Sequence, residues 1–567
     1  MKLRAVLLLL VFFLATLSWA QQSSSGAESE TLTSNTELVL VPAQVKGHDG
    51  KPLLGLKQED FILRSDGKPE PIRVFEESLR SAAAPTTQTT AAHAAPPDRI
   101  SNLPDGGMPD QILIIAIDLV NTAFLDQTWA KKQLLKYLSN ELPNQHFALV
   151  AITKDGLAQI HNFSSDPAVL VEALQRVQGS MDKNTNDEPP LASLTATSQF
   201  GTPCHPADEY GSMMAAFRDT QIYGAYAQKI MARATLTGLM QIAQAYAGVP
   251  GRKSVIWLTG GMPMLLYDAF AGGAKGYSAL NGDSELIPEY EAAFSALNNA
   301  NVAIYGVDVK GIGSDKTYHA TGINQAMNNP VYQTRANGNV VSPLASGDEA
   351  IKVLSAATGG KSCTANADLK NCIDQAVEDS NSYYMLGFYV PQQNRKAGWH
   401  KLEVKLVAEK GSVRSRNSYY LSASTEPTEK EINRSLRAAA DARIGYTGIG
   451  FAVQRQEGAG NAGKPPAPMM RITVPPSSVL LSSGHPQLSY DIATVPLTNK
   501  GEPASDLRVI HLNLTEEQTQ SALNKGWAYF DPPQGSATQA VKYILRDNGT
   551  GHIGTLVVSP VRAGAGG

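Results

Sequence analysis

Continuous runs of apolar residues recur through the middle of the chain. The clearest run occupies residues 112–117 and leads directly to Asp118. Similar runs occupy residues 147–153, 254–259 and 302–307. Runs without polar alternation are typical of strands that are buried on both faces, as in parallel sheets. The pattern therefore predicts four buried strands, with Asp118 at the end of the first and Asp308 at the end of the last.

Segments with helical spacing of apolar residues alternate with these strands. They cover residues 128–142, 167–177, 223–247, 289–299, 348–358 and 368–379. Residues 157–163 alternate instead and could return antiparallel to the second strand. This rhythm predicts right-handed crossovers and a doubly wound, mainly parallel α/β sheet over residues 111–382. Working residues of such sheets lie just past the carboxyl ends of the strands, where Asp118 is placed.

Short strands without obvious partners flank the α/β region on both sides. One set falls within residues 36–80, around the turn at Asp66-Gly67, and the other falls within residues 383–424. A β unit as small as the first set is not expected to be stable alone. We therefore expect the two segments to pair, which would make the α/β domain an insertion between flanking β segments.

The remaining segments have simpler signatures. Residues 21–35 predict a flexible lead-in, residues 81–110 a low-complexity linker, and residues 425–444 an amphipathic connector helix. Residues 445–567 contain about seven short strands with turn signals between them, which predicts an immunoglobulin-like β-sandwich. Two long insertions, residues 178–222 and 260–287, interrupt the α/β rhythm, and loops of this length are often functional.

Composition adds information mainly at the N-terminus. Residues 1–20 combine two basic residues, an apolar core and Ser18-Trp19-Ala20, which is the pattern of a cleavable signal peptide. A membrane anchor is the alternative, but the core is short for a span of about 20 residues. We expect a secreted or periplasmic protein without a membrane span in the mature chain. The formal net charge of −4 gives no indication of nucleic-acid binding.

The chain has three cysteines, Cys204, Cys363 and Cys372. An exported protein meets an oxidising compartment, and Cys363 and Cys372 flank a short loop, so we expect a disulfide between them. Cys204 is then either buried and inert or paired between chains. Three cysteines without matching histidine spacing do not make a zinc site.

A series of motifs resembles a known family. The motifs lie at residues 56–61, 66–69, 114–118, 162–166, 250–261, 304–308, 358–360, 382–388 and 400–404. In order and spacing they resemble the von Willebrand factor A-like domain proteins, in particular the exported branch named the VWFA-related acidobacterial domain, over roughly residues 37–422. The resemblance implies an A-like fold and a binding role.

The resemblance also implies a divalent-cation site. The family typically binds Mg²⁺ or a similar cation through Asp-x-Ser-x-Ser after the first strand, a loop Thr, and an Asp after the fourth strand. Here Asp118 matches the first ligand and Thr122 can replace the second Ser. Val120 stands at the place of the first Ser, and Gly260 at the place of the distal Asp. The site implied by the resemblance is therefore degenerate.

Two other assignments stay open. The loop Thr has three candidates, which are Thr195, Thr197 and Thr235. Asp118 has an alternative role as the cap of the turn or helix that follows its strand. A turn or cap role is the favoured interpretation of Asp308, which could otherwise supply a second carboxylate.

These features predict a non-enzymatic, exported adhesion or scaffolding protein. Its A-like domain would bind an unidentified protein partner, and the two insertions would shape the binding face. The alternative is a divalent-cation-dependent binding module with Asp118 and Thr122 as ligands. A third hypothesis, a secreted hydrolase that uses carboxylates at the same edge, has no support from a G-x-S-x-G or H-E-x-x-H motif.

Overall fold

In the computed structural model, the chain is a mixed α/β protein with several β-sheets, one of them mainly parallel and flanked by helices. The structure describes residues 36–79, 99–103, 112–122, 124–140, 146–154, 156–177, 230–249, 251–261, 287–309, 347–363, 369–391, 396–408, 411–421, 427–457, 468–479, 487–534 and 539–559. The predicted signal peptide, the lead-in, Cys204, the insertion 178–222 and most of the insertion 260–287 lie outside these residues. None of the described helices is long and apolar enough to cross a membrane.

The secondary-structure elements are numbered here in chain order. The strands are β1 (Thr36–Gly47), β2 (Phe61–Ser65), β3 (Lys68–Glu70), β4 (Val74–Leu79), β5 (Arg99–Ser101), β6 (Ile112–Asp118), β7 (His146–Thr153), β8 (Gly156–Ser164), β9 (Lys253–Thr259), β10 (Val302–Asp308), β11 (Ser362–Cys363), β12 (Ser382–Pro391), β13 (Gly398–Leu406), β14 (Gly411–Ser415), β15 (Ser418–Leu421), β16 (Ala452–Glu457), β17 (Pro468–Val474), β18 (Ser489–Pro496), β19 (Arg508–Asn513), β20 (Trp527–Asp531), β21 (Val541–Asp547) and β22 (Ile553–Val558). The helices are α1 (Phe124–Asn140), α2 (Pro167–Arg176), α3 (described over residues 230–245), α4 (Ile287–Asn299), α5 (Gly347–Ala357), α6 (Leu369–Asn381), α7 (Glu429–Asp441) and α8 (Glu516–Lys525).

Strand β6 lies inside the mainly parallel sheet, which has the order β11-β10-β9-β6-β7-β8. All neighbours are parallel except β8, which runs antiparallel to β7 at the edge. Every residue of β6 is buried, with Ile114 packing toward the layer of α3, α4 and α5, and Ile115 toward α1, α2 and α6. The expectation of a mainly parallel sheet with helices is confirmed.

The helix ends show where local sequence sets this fold. Helix α2 begins as predicted, with Asp166 accepting a hydrogen bond from the backbone N–H of Ala168 and with a proline in the first turn. Helix α1 begins at Phe124 rather than at residue 128, because Gln127 donates to the carbonyl of Thr122 (2.7 Å) and joins the first turn to the loop before it. The apolar pattern does not report that contact.

Strands from both flanks of the α/β region form one β-sandwich. One sheet has the order β14-β1-β12-β4 and the other the order β15-β13-β2-β3, so each sheet mixes strands from residues 36–79 with strands from residues 382–421. A shared apolar core includes Val41, Leu63, Phe388 and Val404. Neither flank could bury this core alone, which accounts for the lack of local partners in the sequence.

A buried polar cluster joins this sandwich to the amino-terminal ends of the parallel strands. Arg252, which precedes β9, donates to Tyr305 (3.1 Å) and to the carbonyl of Gly359 (2.8 Å). Tyr305 donates to Asp379 (2.8 Å), and Asp379 also forms an ion pair with Arg414 of β14. These contacts connect Arg252 and Arg414 through Tyr305 and Asp379. This end of the central sheet therefore packs against the first sandwich.

The C-terminal region forms a second sandwich that includes a strand from the predicted linker. Its sheets have the orders β20-β17-β16-β5 and β19-β18-β21-β22, around a core that includes Ile472, Tyr490 and Tyr543. The assignment of residues 81–110 as linker was wrong at β5, which pairs antiparallel with β16. Strand β5 has only three residues, too few to show a hydrophobic pattern, and its partner β16 is distant in the chain. Helix α8 was also not predicted.

Asn102 fixes the end of β5 to the second sandwich. Its amide nitrogen donates to the carbonyls of Ile449 (2.8 Å) and Tyr446 (3.2 Å), and its amide oxygen accepts from the N–H of Phe451 (2.8 Å). These bonds hold residues 446–451 in place. Strand β16 begins directly after this segment, at Ala452.

Helix α7 is more than the connector that its sequence suggested. Its capping box between Thr428 and Glu431 forms as the sequence allows, and Leu436 and Ala439 are fully buried. They belong to an apolar core that continues from the central sheet into the outer face of β18 and β21, where Val495 and Ile544 lie. The central domain and the second sandwich therefore share one core.

The two described cysteines lie where the sequence placed them. Cys363 on β11 and Cys372 on α6 are at disulfide-bonding distance, with sulfur atoms 2.18 Å apart and Cα atoms 6.3 Å apart. The pair links the edge strand of the central sheet to a helix packed on its face.

Candidate functional site

The candidate site lies at the carboxyl-end edge of the central sheet. Strands β6, β9 and β10 end here at Asp118, Thr259 and Asp308. Asp308 pairs with Thr259, and β6 lies directly beside β9. The chain between α2 and α3, between β9 and α4, and between β10 and α5 leaves and returns at this edge, because the strands are parallel and each helix crosses back. Both predicted insertions therefore connect to this edge.

Asp118 is fully buried and caps the turn that follows its own strand. Its Oδ1 accepts from the backbone N–H groups of Val120 and Asn121, each at 3.0 Å. Its Oδ2 accepts from the Asn121 amide (3.1 Å) and from the Thr259 hydroxyl (3.0 Å). The carboxylate thus accepts four hydrogen bonds. It has the capping role that was the alternative to metal binding.

Asn121 lies between Asp118 and helix α3. Its Nδ2 donates to Oδ2 of Asp118 and also to the hydroxyl of Thr235 (2.6 Å), which is fully buried. Of the three threonine candidates, Thr235 is the one at this edge, while Thr195 and Thr197 lie outside the described residues. The carboxylate and the threonine hydroxyl, which the family resemblance would assign to a cation, are here bridged by an amide.

Thr122 and Gly260 form the other half of the site. The Thr122 hydroxyl accepts from the N–H of Gly260 (2.9 Å), so it joins the loop after β6 to the end of β9. A Cβ atom at Gly260 would lie 2.5 Å from the carbonyl oxygen of Asn121. A side chain at this position, aspartate included, requires the loop to move. The approach of the two backbones requires glycine.

The side chain of Val120 and the strand end at Asp308 contribute packing and a backbone hydrogen bond to this edge. Val120 is half-buried and packs against the apolar core that contains Ile114. Asp308 is buried at the end of β10, and the following N–H, that of Val309, donates to the carbonyl of Thr259 (3.0 Å). Position 120 thus contributes packing.

The electrostatics of Asp118 follow from its burial. Burial raises the pKa of its carboxyl group, while the hydrogen bonds from Asn121, Thr259 and Val120 oppose the rise. All four donors are neutral N–H or O–H groups, and they stabilise the carboxylate, which forms no ion pair with another described residue.

These residues do not fit a divalent cation. Mg²⁺ takes oxygen ligands in near-octahedral geometry, but here the nearest groups to both oxygens of Asp118 are donors. Within the described part of the chain, no group of three or more His, Cys, Asp or Glu residues could hold a metal. The arrangement is a hydrogen-bonded joint between β6, β9 and α3.

Sequence reasoning missed the two residues that complete this joint. Asn121 and Thr259 both contact the carboxylate of Asp118, and neither is among the cation-ligand positions carried over from the family. A signal for Asn121 was present, because an Asp followed three residues later by an Asn is compatible with a capped turn. Thr259 had no local signal, since it lies far from Asp118 along the chain.

Comparison with known proteins adds no family. No protein-family model matches the chain, and no curated protein matches it. Function is therefore inferred from the arrangement of residues at this edge.

Proposed function

We propose that the chain is a non-enzymatic, exported binding protein of the von Willebrand factor A-like type, which binds a protein partner at the carboxyl-end edge of the central sheet without a metal ion. The observation that carries the proposal is the amide of Asn121 between Asp118 and Thr235. It keeps the loop after β6 closed by neutral hydrogen bonds, so the face does not depend on a cation for its shape.

The sheet order supports this location. Numbered within the sheet, the strands follow the order 3-2-1-4-5-6, with the third strand antiparallel. In open α/β sheets, ligands bind outside the carboxyl ends where the strand order reverses, which here is between β6 and β9. Asn121 and Gly260 fill that position with backbone contacts. A partner would therefore contact the rim of the edge, where the connecting segments leave and return.

Two exposed apolar side chains lie near this rim. Trp129 is in the second turn of α1 and is 36 % exposed, and Ile230, the first described residue of α3, is 46 % exposed. Exposed apolar groups near a polar edge are a feature of protein-binding surfaces, in which tryptophan is enriched. The hydrolase hypothesis gains no similar support, since Asp118 and Asp308 are both buried.

Metal independence is tested by thermal unfolding of the full chain with EDTA and with Mg²⁺, Mn²⁺ or Ca²⁺. We expect the same midpoint in every case. A rise in midpoint with one cation, absent from an Asp118→Asn variant, would support the divalent-cation module instead. Isothermal titration calorimetry with the same cations provides an independent measurement of binding.

The binding face is tested by comparing the partners captured in EDTA by the wild-type chain with those captured by three variants. Trp129→Glu and a variant lacking residues 185–205 are expected to lose the same partner. Leu54→Glu, an exposed position on the first sandwich, is the matched control and should retain it. Retention by all variants would contradict a binding role for this face.

A further inference from the structure

Four side chains form a row across the outer face of the sheet β20-β17-β16-β5. Register places them side by side, and they are Arg99 on β5, Gln454 on β16, Arg471 on β17 and Phe530 on β20. They point away from the core, since their chain neighbours Val453 and Ile472 point into it. The row therefore crosses the full width of the sheet.

The row combines positive charge with an exposed aromatic ring. Phe530 is 50 % exposed, and the guanidinium carbon of Arg471 lies 5.9 Å from its ring centroid. Neither Arg99 nor Arg471 forms a side-chain ion pair or hydrogen bond with another described residue, and the Nε of Arg471 is buried without a partner. Other buried or bridging arginines of this chain, such as Arg252 and Arg508, have acceptors. Within the described part of the chain, the guanidinium groups of the row therefore have no acceptor.

The positions beside the row carry small or uncharged side chains. The next outward row along the strands consists of small side chains, which are Ser101, Ala452, Thr473 and Ala528. The row on the other side contains Gln456 and Met469. Among the described residues of this outer face there is no carboxylate, although the chain as a whole has a net charge of −4. The described part of this face is thus locally positive along the row, which runs perpendicular to the strands.

We propose that this row binds an acidic polysaccharide, a polymer of sugar rings that carry carboxylates. Carboxylates pair with guanidinium groups in bidentate geometry, and here the backbones of the two arginines lie two strand spacings apart, about 9–10 Å. The apolar face of a sugar ring packs on Phe530, and the amides of Gln454 and Gln456 bond to hydroxyl groups. Each exposed group of the row has a matching group on such a polymer.

Other anionic polymers fit less well. An acidic peptide that added to a sheet would need a free strand edge, whereas the row crosses the middle of the sheet. A nucleic acid would be expected to meet more basic residues than the two arginines of this face. The flat, amide-rich surface with one aromatic ring favours a sugar polymer with spaced carboxylates.

The site exists only when two distant parts of the chain meet. Arg99 comes from β5, which Asn102 fixes to the sandwich, while the other three side chains come from the C-terminal region. Loss of β5 would remove Arg99 from one end of the row. The row lies on the second sandwich, whereas the proposed protein-binding edge lies on the central sheet. Binding at the row therefore does not depend on the proposed function of that edge.

The test is affinity electrophoresis of the full chain in gels that contain polygalacturonate, with dextran as the neutral polymer and polyglutamate as the acidic peptide. The wild-type chain is expected to be retarded by polygalacturonate only. R471Q and R99Q should each weaken binding by about ten-fold, the loss of one charge-assisted contact, and F530A should weaken it as well. R443Q removes the same charge at an exposed position elsewhere and should bind as the wild type does.

Each outcome decides the proposal. Retardation of the wild-type chain that R471Q, R99Q and F530A all reduce would support it. Equal binding by the four variants, or no retardation at all, would overturn it. Equal retardation by polyglutamate with no effect of F530A would assign the face to charge alone and overturn the polysaccharide. Unchanged unfolding midpoints of these surface variants would show that any loss is not a folding defect.

Discussion

Asp118 acts through four hydrogen bonds that hold the loop after β6 against β9 and indirectly against α3. An Asp118→Ala variant removes the acceptor and leaves the donors of Asn121 and Thr259 buried without partners. Each such group costs roughly 1–3 kcal/mol, so we expect the free energy of unfolding to fall by about 3–5 kcal/mol. Urea denaturation of the full chain measures the loss.

Asp118→Asn is the matched control for this substitution. It keeps one acceptor oxygen and the shape of the side chain, but its new amide nitrogen would face the amide nitrogen of Asn121. A smaller loss of about 1–2 kcal/mol is therefore expected. An unchanged free energy of unfolding in both variants would contradict a supporting role for the acceptor oxygens of residue 118.

Lys542 provides a second prediction, which concerns pH. Its ammonium group is buried on β21, donates to the carbonyl of Ala440 (3.0 Å) at the end of α7, and has a pKa that burial lowers to about 8. Below that pH both the folded and the unfolded chain hold the proton. Above it the folded chain releases the proton while the unfolded chain keeps it up to about pH 10. The free energy of unfolding should therefore rise by about 3 kcal/mol between these values.

Lys542→Met tests this dependence, because it fills the same space without a titrating group. Denaturant titrations from pH 7 to pH 10 should show a smaller rise for the variant than for the wild type. Lys253, whose pKa burial lowers to about 7, acts in the same direction in both proteins, so the difference between them isolates Lys542. Parallel curves would contradict the assignment.

Single residues of the site were partly predictable from sequence. The placement of Asp118 at a strand end followed from six apolar residues before it, and a cap was one of its two interpretations. Its partners were not predictable, because Thr259 and Thr235 approach only after β9 and α3 have packed beside β6. The geometry of a polar joint depends on such tertiary neighbours.

Among the elements, β11 is the shortest strand of the central sheet and is linked to α6 by Cys363 and Cys372. Replacing both cysteines by serine is expected to lower the free energy of unfolding by about 2–3 kcal/mol, since the disulfide closes a short loop in the unfolded chain. Chemical denaturation with and without reductant measures the effect, and reductant should not change the variant.

Thiol titration provides the chemical control for that prediction. The unfolded, unreduced wild-type chain should expose one thiol, that of Cys204, if Cys204 is not paired between chains. Reductant should raise the number to three. Three thiols before reduction would show that Cys363 and Cys372 are not bonded in the isolated protein.

Strand β5 depends on Asn102 more than on its own short ladder. Asn102→Ala removes three hydrogen bonds and leaves the carbonyl of Ile449 and the N–H of Phe451 without these partners. We expect the free energy of unfolding to fall by about 2–4 kcal/mol. Asn524→Ala on the exposed face of α8 is the control and should change it by less than about 0.5 kcal/mol. Equal small effects would mean that β5 is not fixed by this side chain.

Elements were predicted well where the pattern was long and poorly where it was short. The apolar run of β6 reported its burial directly. The alternating run of β18 marked a strand, but its polar residues Asp491 and Thr494 are buried as well. By contrast, β5 has three residues and α8 has few apolar ones, so tertiary partners and a capping box decide both.

At the scale of the whole molecule, one apolar core extends from the central sheet through α7 into the second sandwich. We therefore expect calorimetry of the full chain to show these two parts unfolding in a single transition, with equal calorimetric and van't Hoff enthalpies. Val495→Asp places a carboxylate in the shared core and should separate the transition into two. Val557→Asp, at a half-exposed position of the same sandwich, should leave it single.

The arrangement of the whole chain was the hardest level to predict. Unpaired strands on both flanks indicated a shared sandwich, and β1 does pair with β12. The sequence did not predict the core shared with the second sandwich. An amphipathic helix such as α7 has the same sequence pattern whether it packs on one domain or is buried between two.

The path of β5 has a consequence for how the protein is made. Synthesis proceeds from the N-terminus, yet β1 pairs with a strand that ends at residue 391, and β5 pairs with one that begins at residue 452. Strands β1 and β5 therefore remain without these partners until most of the chain has been synthesised. Such long-range pairing slows folding and exposes intermediates to aggregation. Chaperone contacts during synthesis should accordingly concentrate on residues 36–103.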